Sequence, residues 1–338
     1  MLAPTMTTPT HAMLDARACA ARDWASKELG LDQCGFESAS ADASFRRYFR
    51  LSDGSRSWIV MDAPPAQEDC RPFIHVSGLL AAAGLHGPEV LAQDLEQGFL
   101  LLSDLGSRLY LHELNPDNAD ALMGAAVEAL VRWQTATRAD QLPAYDEALL
   151  RRELTLFPDW YLARECGESW NAAKKAVWNQ AADQLVSAAL AQPQVYVHRD
   201  YMPRNLMVCA QNPGILDFQD AVVGPYAYDL LCLYKDAFLS WPQEQIDRGL
   251  SRYRQTARAA GLPIPEDEHQ LKQDFDWIGV HRHLKVLGIF ARLKHRDGKP
   301  KYLDDAPRFA AYLRPVLARY PALQPLGSLL EPLLPPAG

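Results

Sequence analysis

Apolar residues recur at helical spacing from about Met13 to Leu29, where an alanine-rich stretch predicts a first helix. The period then drops to two. Phe36 to Ser40, Phe45 to Leu51 and Ser57 to Met61 read as strands, with Asp53-Gly54 as the hairpin turn between the second and third. A helix from Phe73 to Ala83 should end at Gly84. Two more strands follow, Val90 to Asp94 and Phe99 to Ser103. After Asp104-Leu105-Gly106 the helical period takes over. Ala119 to Thr137, Leu149 to Glu165, Ala172 to Ala191, Ala227 to Ser240, Gln243 to Ala260, Lys272 to Arg296 and Pro307 to Ala318 all read as helices. A short hairpin region from Val195 to Asp217 interrupts them.

Strands first and helices second predict an α+β fold in two lobes. Residues 1–102 would form a small mixed lobe with an antiparallel sheet, and 103–338 a larger, mostly helical one. Residues 1–10 are expected to be a disordered lead-in, since they lack the basic start and apolar core of a signal peptide. Composition narrows the picture. A net charge of −8 argues against a general role on nucleic acid or anionic membranes. No apolar run approaches the roughly 20 residues that span a bilayer. Six scattered cysteines without a Cys-x-x-Cys pair suggest reduced thiols in the cytoplasm rather than a zinc site or disulfide framework. Nothing in the sequence calls for an obligate protein partner.

The chemistry concentrates in Val197-His198-Arg199-Asp200-Tyr201-Met202-Pro203-Arg204-Asn205, followed by Gly214-Ile215-Leu216-Asp217-Phe218. An aspartate, an asparagine five residues on, and a strand-borne second aspartate make up the parts of a kinase-like phosphotransfer site. Leu206-Met207-Val208 and Gly214-Ile215-Leu216 should pair as a hairpin and return Asp217 to the loop. Asp200 is then the base that takes a hydroxyl proton, and Asn205 and Asp217 are the ligands of Mg2+ on ATP. Arg204 either steadies the transferred phosphoryl group or stands in solvent. His198 and Arg199 should shape the loop, and Asp229 should support it from a helix start. The overall expectation is a two-lobed, protein-kinase-like fold with nucleotide in the cleft between lobes.

On the nucleotide side, the small and polar run Ser38-Ala39-Ser40-Ala41-Asp42-Ala43-Ser44 would let backbone N–H groups reach phosphates, with Ser40, Asp42 and Ser44 as candidate contacts. An ordinary hairpin loop is the alternative. The crossing segment around Leu102 and Asp104 would meet the adenine edge. The third strand, Trp58 to Pro64, lacks the lysine that a kinase places there. Arg46 or Arg47 is the candidate substitute, and both cannot face the cleft on a regular strand.

His198-x-Asp200-x-x-x-x-Asn205, Asp217 and Asp229-Leu230 resemble the aminoglycoside phosphotransferase and choline kinase branch of the kinase-like superfamily. Longer blocks resemble the bacterial cell-wall-recycling sugar kinases within it. These are Ala41 to Arg50, Val60 to Pro65, Gly98 to Gly106 and Arg282 to Leu293, and the likeness runs from about residue 20 to 320. That resemblance implies ATP, magnesium and phosphorylation of the anomeric hydroxyl of N-acetylmuramate and N-acetylglucosamine in peptidoglycan recycling. The residues give a partial check. Between Arg282 and Lys301 lie seven lysines or arginines and one acid, Asp297. Arg282, Lys285, Arg292 and Arg296 fall along one helix side. Such a face either lines the site, where it suits a sugar carboxylate, or is solvated. Tyr201, Arg282 and Lys285 are the candidate substrate contacts. The rival readings are a kinase for an aminoglycoside, choline or homoserine, and a nucleotide-binding pseudokinase.

Overall fold

The computed structural model describes residues 15–41 and 45–336. They fall into two units: the chain up to Ser77 with Pro88–Leu105, and Gly78–Gly87 with the chain from Gly106 onward. In the first unit, helix α1 (Ala16–Leu29) begins at Asp15, whose carboxylate accepts the Ala18 N–H at 2.8 Å. The sequence placed its start at Met13, outside the described residues. Strands β1 (Gly35–Ala41), β2 (Arg47–Ser52) and β3 (Ser57–Asp62) follow. Asp53 closes the β2–β3 turn by accepting the Ser55 and Arg56 N–H groups, with Gly54 at φ 89°. After α2 (Arg71–Ala82) come β4 (Val90–Asp94) and β5 (Phe99–Ser103). The five strands form one antiparallel sheet in the order β1-β2-β3-β5-β4.

Period-two alternation puts Phe49 and Leu51 of β2, Trp58 and Val60 of β3, and Phe99 and Leu101 of β5 into one buried cluster with Ala18, Ala21 and Ala25 of α1. The small helix side chains leave room for the large strand ones. At the end of β3, fully buried Asp62 receives Arg17 Nε at 2.6 Å and Arg47 Nη2 at 2.5 Å. A buried carboxylate needs such partners.

The second unit is mostly helical: α3 (Tyr110–Glu113), α4 (Ala119–Thr135), α5 (Glu147–Leu156), α6 (Ala172–Ala191) and then a small β region. Strand β6 (Gln194–Val197) pairs antiparallel with β9 (Val222–Pro225). Between them, β7 (Leu206–Met207) pairs with β8 (Gly214–Ile215). Helices α7 (Ala227–Tyr234), α8 (Gln243–Ala259), α9 (Glu268–His295), α10 (Ala306–Arg319) and α11 (Gln324–Leu330) complete it. Helix α9 is the central member, buried along most of its length. Gly288 lets it lie directly on α5, since a Cβ there would sit 2.4 Å from the Leu156 backbone.

Two helices differ from the sequence expectation. The single helix read from Leu149 to Glu165 is α only to Leu156 and continues as a π-helix over Phe157–Glu165. Pro158, which has no N–H to donate, stands at that change. The helix read to Ser240 ends at Tyr234, because Asp236 accepts the Phe238 and Leu239 N–H groups and bends the chain out of the helix.

The R47A variant would leave buried Asp62 with Arg17 as its ion-pair partner. Its unfolding free energy is expected to fall by about 1–2 kcal/mol, seen as a lower urea midpoint. An unchanged midpoint would contradict this account of the Asp62 site.

Candidate active site

Strand β6 delivers the chain into His198-Arg199-Asp200 with an unusual backbone. Arg199 has φ 76°, a left-handed conformation that costs a bulky residue free energy. The bend is held from below. Asp229, buried on the first turn of α7, accepts the His198 N–H at 2.6 Å and the Arg199 N–H at 2.9 Å. Burial pushes its carboxyl up to about 7 against the pull of those two donors. His198 is fixed just as closely. Its Nε2–H donates to the Leu216 carbonyl at 2.9 Å, and its Nδ1 accepts the Asp200 N–H at 3.2 Å. Accepting at Nδ1 requires a neutral ring, and burial pushes its pKa down to about 4. The pinning role expected of Asp229 and the shaping role of His198 and Arg199 thus have a geometry.

Glu153 of α5 escaped the sequence reading. It is buried, and it receives Arg199 Nη2 at 2.5 Å, Lys285 Nζ at 2.8 Å and the Tyr145 hydroxyl. Burial alone would raise its carboxyl. The charges of Lys285, His281 and Arg199 outweigh that and hold it at about 2. The arginine beside Asp200 is therefore anchored through both its backbone and its side chain.

Asp200 itself is the open member of the group, with 45 % of its side chain exposed. Arg282 Nη2 of α9 lies 3.9 Å from its Oδ1. Five residues on, Asn205 donates its Nδ2–H to the Asp200 carbonyl at 2.9 Å and lies 3.4 Å from Asp217 Oδ2. Asp217 also has positive φ, 62°, and accepts Gln219 Nε2 at 2.8 Å. Aspartate tolerates that conformation better than most residues. The bond from Leu216 N–H to the Asn205 carbonyl ties the two arms together at 2.9 Å. Asp200, Asn205 and Asp217 are thereby gathered at one point, with Arg282 beside them.

Asn205 and Asp217 offer an amide oxygen and a carboxylate, both hard donors, within reach of one small divalent cation. Magnesium commonly takes only one or two protein ligands and fills the rest with water and substrate phosphate. Among the described residues there is no cluster of three or more His, Cys, Asp or Glu that would make a closed cage. The donor set fits magnesium bound together with a phosphate.

Other candidates lie elsewhere. Tyr201 is a correction: it is fully buried and its hydroxyl donates to the Ala126 carbonyl of α4 at 2.8 Å, so it anchors the loop instead of meeting a substrate. Lys285 is taken up by Glu153 and by the Tyr228 hydroxyl at 3.1 Å, so it too acts from behind the site. Arg204 rests its guanidinium 4.8 Å from the Phe238 ring centroid. In the first unit, Arg47 is turned to Asp62 and Asp15. Arg46 pairs with Glu68 at 3.2 Å. Asp104 receives Arg50 at 2.6 and 3.1 Å and is a structural ion pair, while Leu102 is sheet core. Ser40 lies on β1, and Asp42 and Ser44 fall outside the described residues.

Comparison with known proteins gives the family and the fold. The profile of the phosphotransferase enzyme family matches residues 35–265. The N-acetylmuramate/N-acetylglucosamine kinase of Pseudomonas aeruginosa is 59% identical over 295 residues, covering 87% of each chain. The protein of the same name in Neisseria meningitidis is 46% identical over 302 residues, covering 88% of this chain and 90% of that one. Among solved structures, an ADP-bound aminoglycoside phosphotransferase superposes with a TM-score of 0.61 at 14% identity, covering 89% of this chain and 97% of its own. The choline kinase of Streptococcus pneumoniae gives 0.60 at 12%, covering 89% and 100%. The expected kinase-like α+β fold is the fold these proteins share.

The Glu153 carboxylate yields a pH prediction. Its folded pKa of about 2 lies below the unfolded value of about 4.3. Its contribution is therefore complete above about pH 4.3 and is lost as pH falls toward 2. The melting-temperature gap between wild type and E153Q is expected to be constant from pH 8 to 5 and to shrink below about pH 4.3. A gap that widens on acidification would reverse the sign and refute the assignment.

Proposed function

We propose that this chain, which belongs to the phosphotransferase enzyme family, is an ATP-dependent sugar kinase. Its acceptors are N-acetylmuramate and N-acetylglucosamine, phosphorylated on the anomeric hydroxyl to give the sugar 1-phosphate. The observation that carries this reading is the 59% identity to a kinase named for those two sugars, joined to the partly exposed Asp200 beside Asn205 and Asp217. A role in reclaiming peptidoglycan sugars follows from such substrates, and the use of ATP fits a cytoplasmic enzyme.

The chemistry starts with the acceptor. An anomeric hydroxyl is the most acidic on the ring, because the ring oxygen withdraws electrons from the same carbon. Asp200 takes its proton as the oxygen attacks the terminal phosphorus of ATP. A new C1–O–P linkage forms, the bridging P–O bond breaks, and ADP departs with the bonding pair. Asn205 and Asp217 would hold magnesium, whose chemistry is to neutralise charge on the phosphates. Arg204, held on Phe238, would steady charge on the transferred group. We assign residues 1–102 to nucleotide binding and 103–338 to catalysis and the acceptor. Within the former, the Arg46–Glu68 pair takes the part of the absent lysine and its glutamate partner. Ser40, Asp42 and Ser44 remain the proposed phosphate contacts, and the Leu102 backbone the adenine contact.

Coupled ADP release with ATP and magnesium should follow N-acetylmuramate and N-acetylglucosamine, and D200N should lower kcat by about 100-fold or more. Turnover of kanamycin or choline with neither N-acetyl sugar active would overturn the substrate. R46A should raise the KM for ATP by about tenfold, and R47A should leave it unchanged. The reverse pattern would exchange their roles.

A further inference from the structure

Two buried charged side chains border the catalytic loop with one polar atom each left without a partner. Arg282 is 5% exposed, and its Nη1 has no hydrogen bond although Nη2 faces Asp200. Asp236 is 1% exposed. Its Oδ1 accepts the Phe238 N–H at 2.8 Å and the Leu239 N–H at 2.7 Å, while Oδ2 has no partner. Leaving such groups unmet costs about 1–3 kcal/mol each, more when they are charged.

The fold puts the two in one neighbourhood. Gly279 of α9 seats Leu231 of α7, since a Cβ there would lie 3.1 Å from the leucine. Arg282 follows three residues later on the same helix face, and Asp236 follows Leu231 just past the end of α7. The turn that Asp236 opens reaches the catalytic loop through Phe238, under Arg204. The two charges act on each other without closing into an ion pair. A buried donor and a buried acceptor are left in one packed region, both unmet.

A secondary amide answers both at once: its carbonyl takes the guanidinium N–H and its own N–H goes to the carboxylate. The two proposed acceptors share one such group, the acetamido substituent next to the reacting carbon. We infer that Arg282 and Asp236 are the pair that reads the acetamido group, with Nη1 on its oxygen and Oδ2 on its N–H. This assignment rests on the N-acetyl sugar reading above. Both atoms are shut off from water, so the turn from Asp236 to Ser240 has to shift as the sugar arrives. It is fastened by side chains: Arg308 Nη1 to Ser240 Oγ at 2.5 Å and the Tyr312 hydroxyl to the Leu239 carbonyl at 3.2 Å.

D236N is the sharp test. Its Oδ1 can keep the Phe238 and Leu239 N–H groups, which directs the new NH2 to where Oδ2 was, donor against donor. The KM for N-acetylglucosamine should rise about 30-fold, with the KM for ATP within twofold of wild type. For 2-deoxyglucose, which has nothing at that carbon to read, D236N and wild type should bind equally by calorimetry. R282K, which keeps the charge beside Asp200, should also raise the N-acetylglucosamine KM. Direct calorimetric titration of wild type with N-acetylglucosamine and 2-deoxyglucose gives a second measure free of any variant's folding, and should favour the former about 30-fold or more. An unchanged sugar KM in D236N would overturn the assignment. So would an equal loss of affinity for both sugars, or no wild-type preference between them. If wild type turned over neither N-acetyl sugar, the substrate reading itself would fall, and this assignment with it.

Discussion

Everything at this site depends on one buried carboxylate accepting two consecutive backbone N–H groups. Asp229 takes the amides of His198 and Arg199, and Arg199, which directly precedes Asp200, is held in a conformation it would not hold alone. Aspartate suits the task because its two oxygens can each take one donor. The next residue, Asp200, is then aimed by a peptide that cannot relax. The same principle recurs at Asp217, whose positive φ is stabilised by bonds on both carboxylate oxygens.

Around that bend the charges are sorted by burial. Glu153 gathers Arg199 and Lys285 behind the loop, so those cations are matched in place and contribute rigidity. Arg282 is less closely matched, since its nearest carboxylate, the partly exposed Asp200, lies 3.9 Å away, against 2.5 Å from Arg199 to Glu153. The proposed phosphoryl transfer asks for open charge at the front of the site and paired charge at the back. Arg199 and Lys285 thus hold the loop from behind, while Arg282 stands beside Asp200.

The parts legible in the sequence were those carried by contiguous residues. The run from His198 to Asn205 is one chain segment, and the hairpin of β7 and β8 returns Asp217 through alternation alone, so spacing was enough. The strands of the first sheet and the Asp53-Gly54 turn were visible for the same reason. Glu153 was not, because its partners lie 46 and 132 residues away, and a glutamate on a helix looks like any solvated one. Tyr201 misled through its position next to Asp200; it turns inward to Ala126, and nothing in its neighbours announces that. Asp236 was hidden inside an apparent helix, where only the capture of two backbone N–H groups by its side chain reveals the turn. Of the two arginines left open, the structure turns Arg47 to Asp62 and leaves Arg46 with Glu68. Register decides such a pair, and alternation could say only that the two diverge.

The central claim is that this site moves a phosphoryl group onto C1 of an N-acetyl sugar. It is tested most directly by phosphorus NMR of the product made from ATP and N-acetylglucosamine labelled with carbon-13 at C1. The account predicts one new phosphate resonance coupled to the labelled carbon and to the anomeric proton. A phosphate coupled to the C6 protons, or ADP release that leaves only inorganic phosphate, would contradict it.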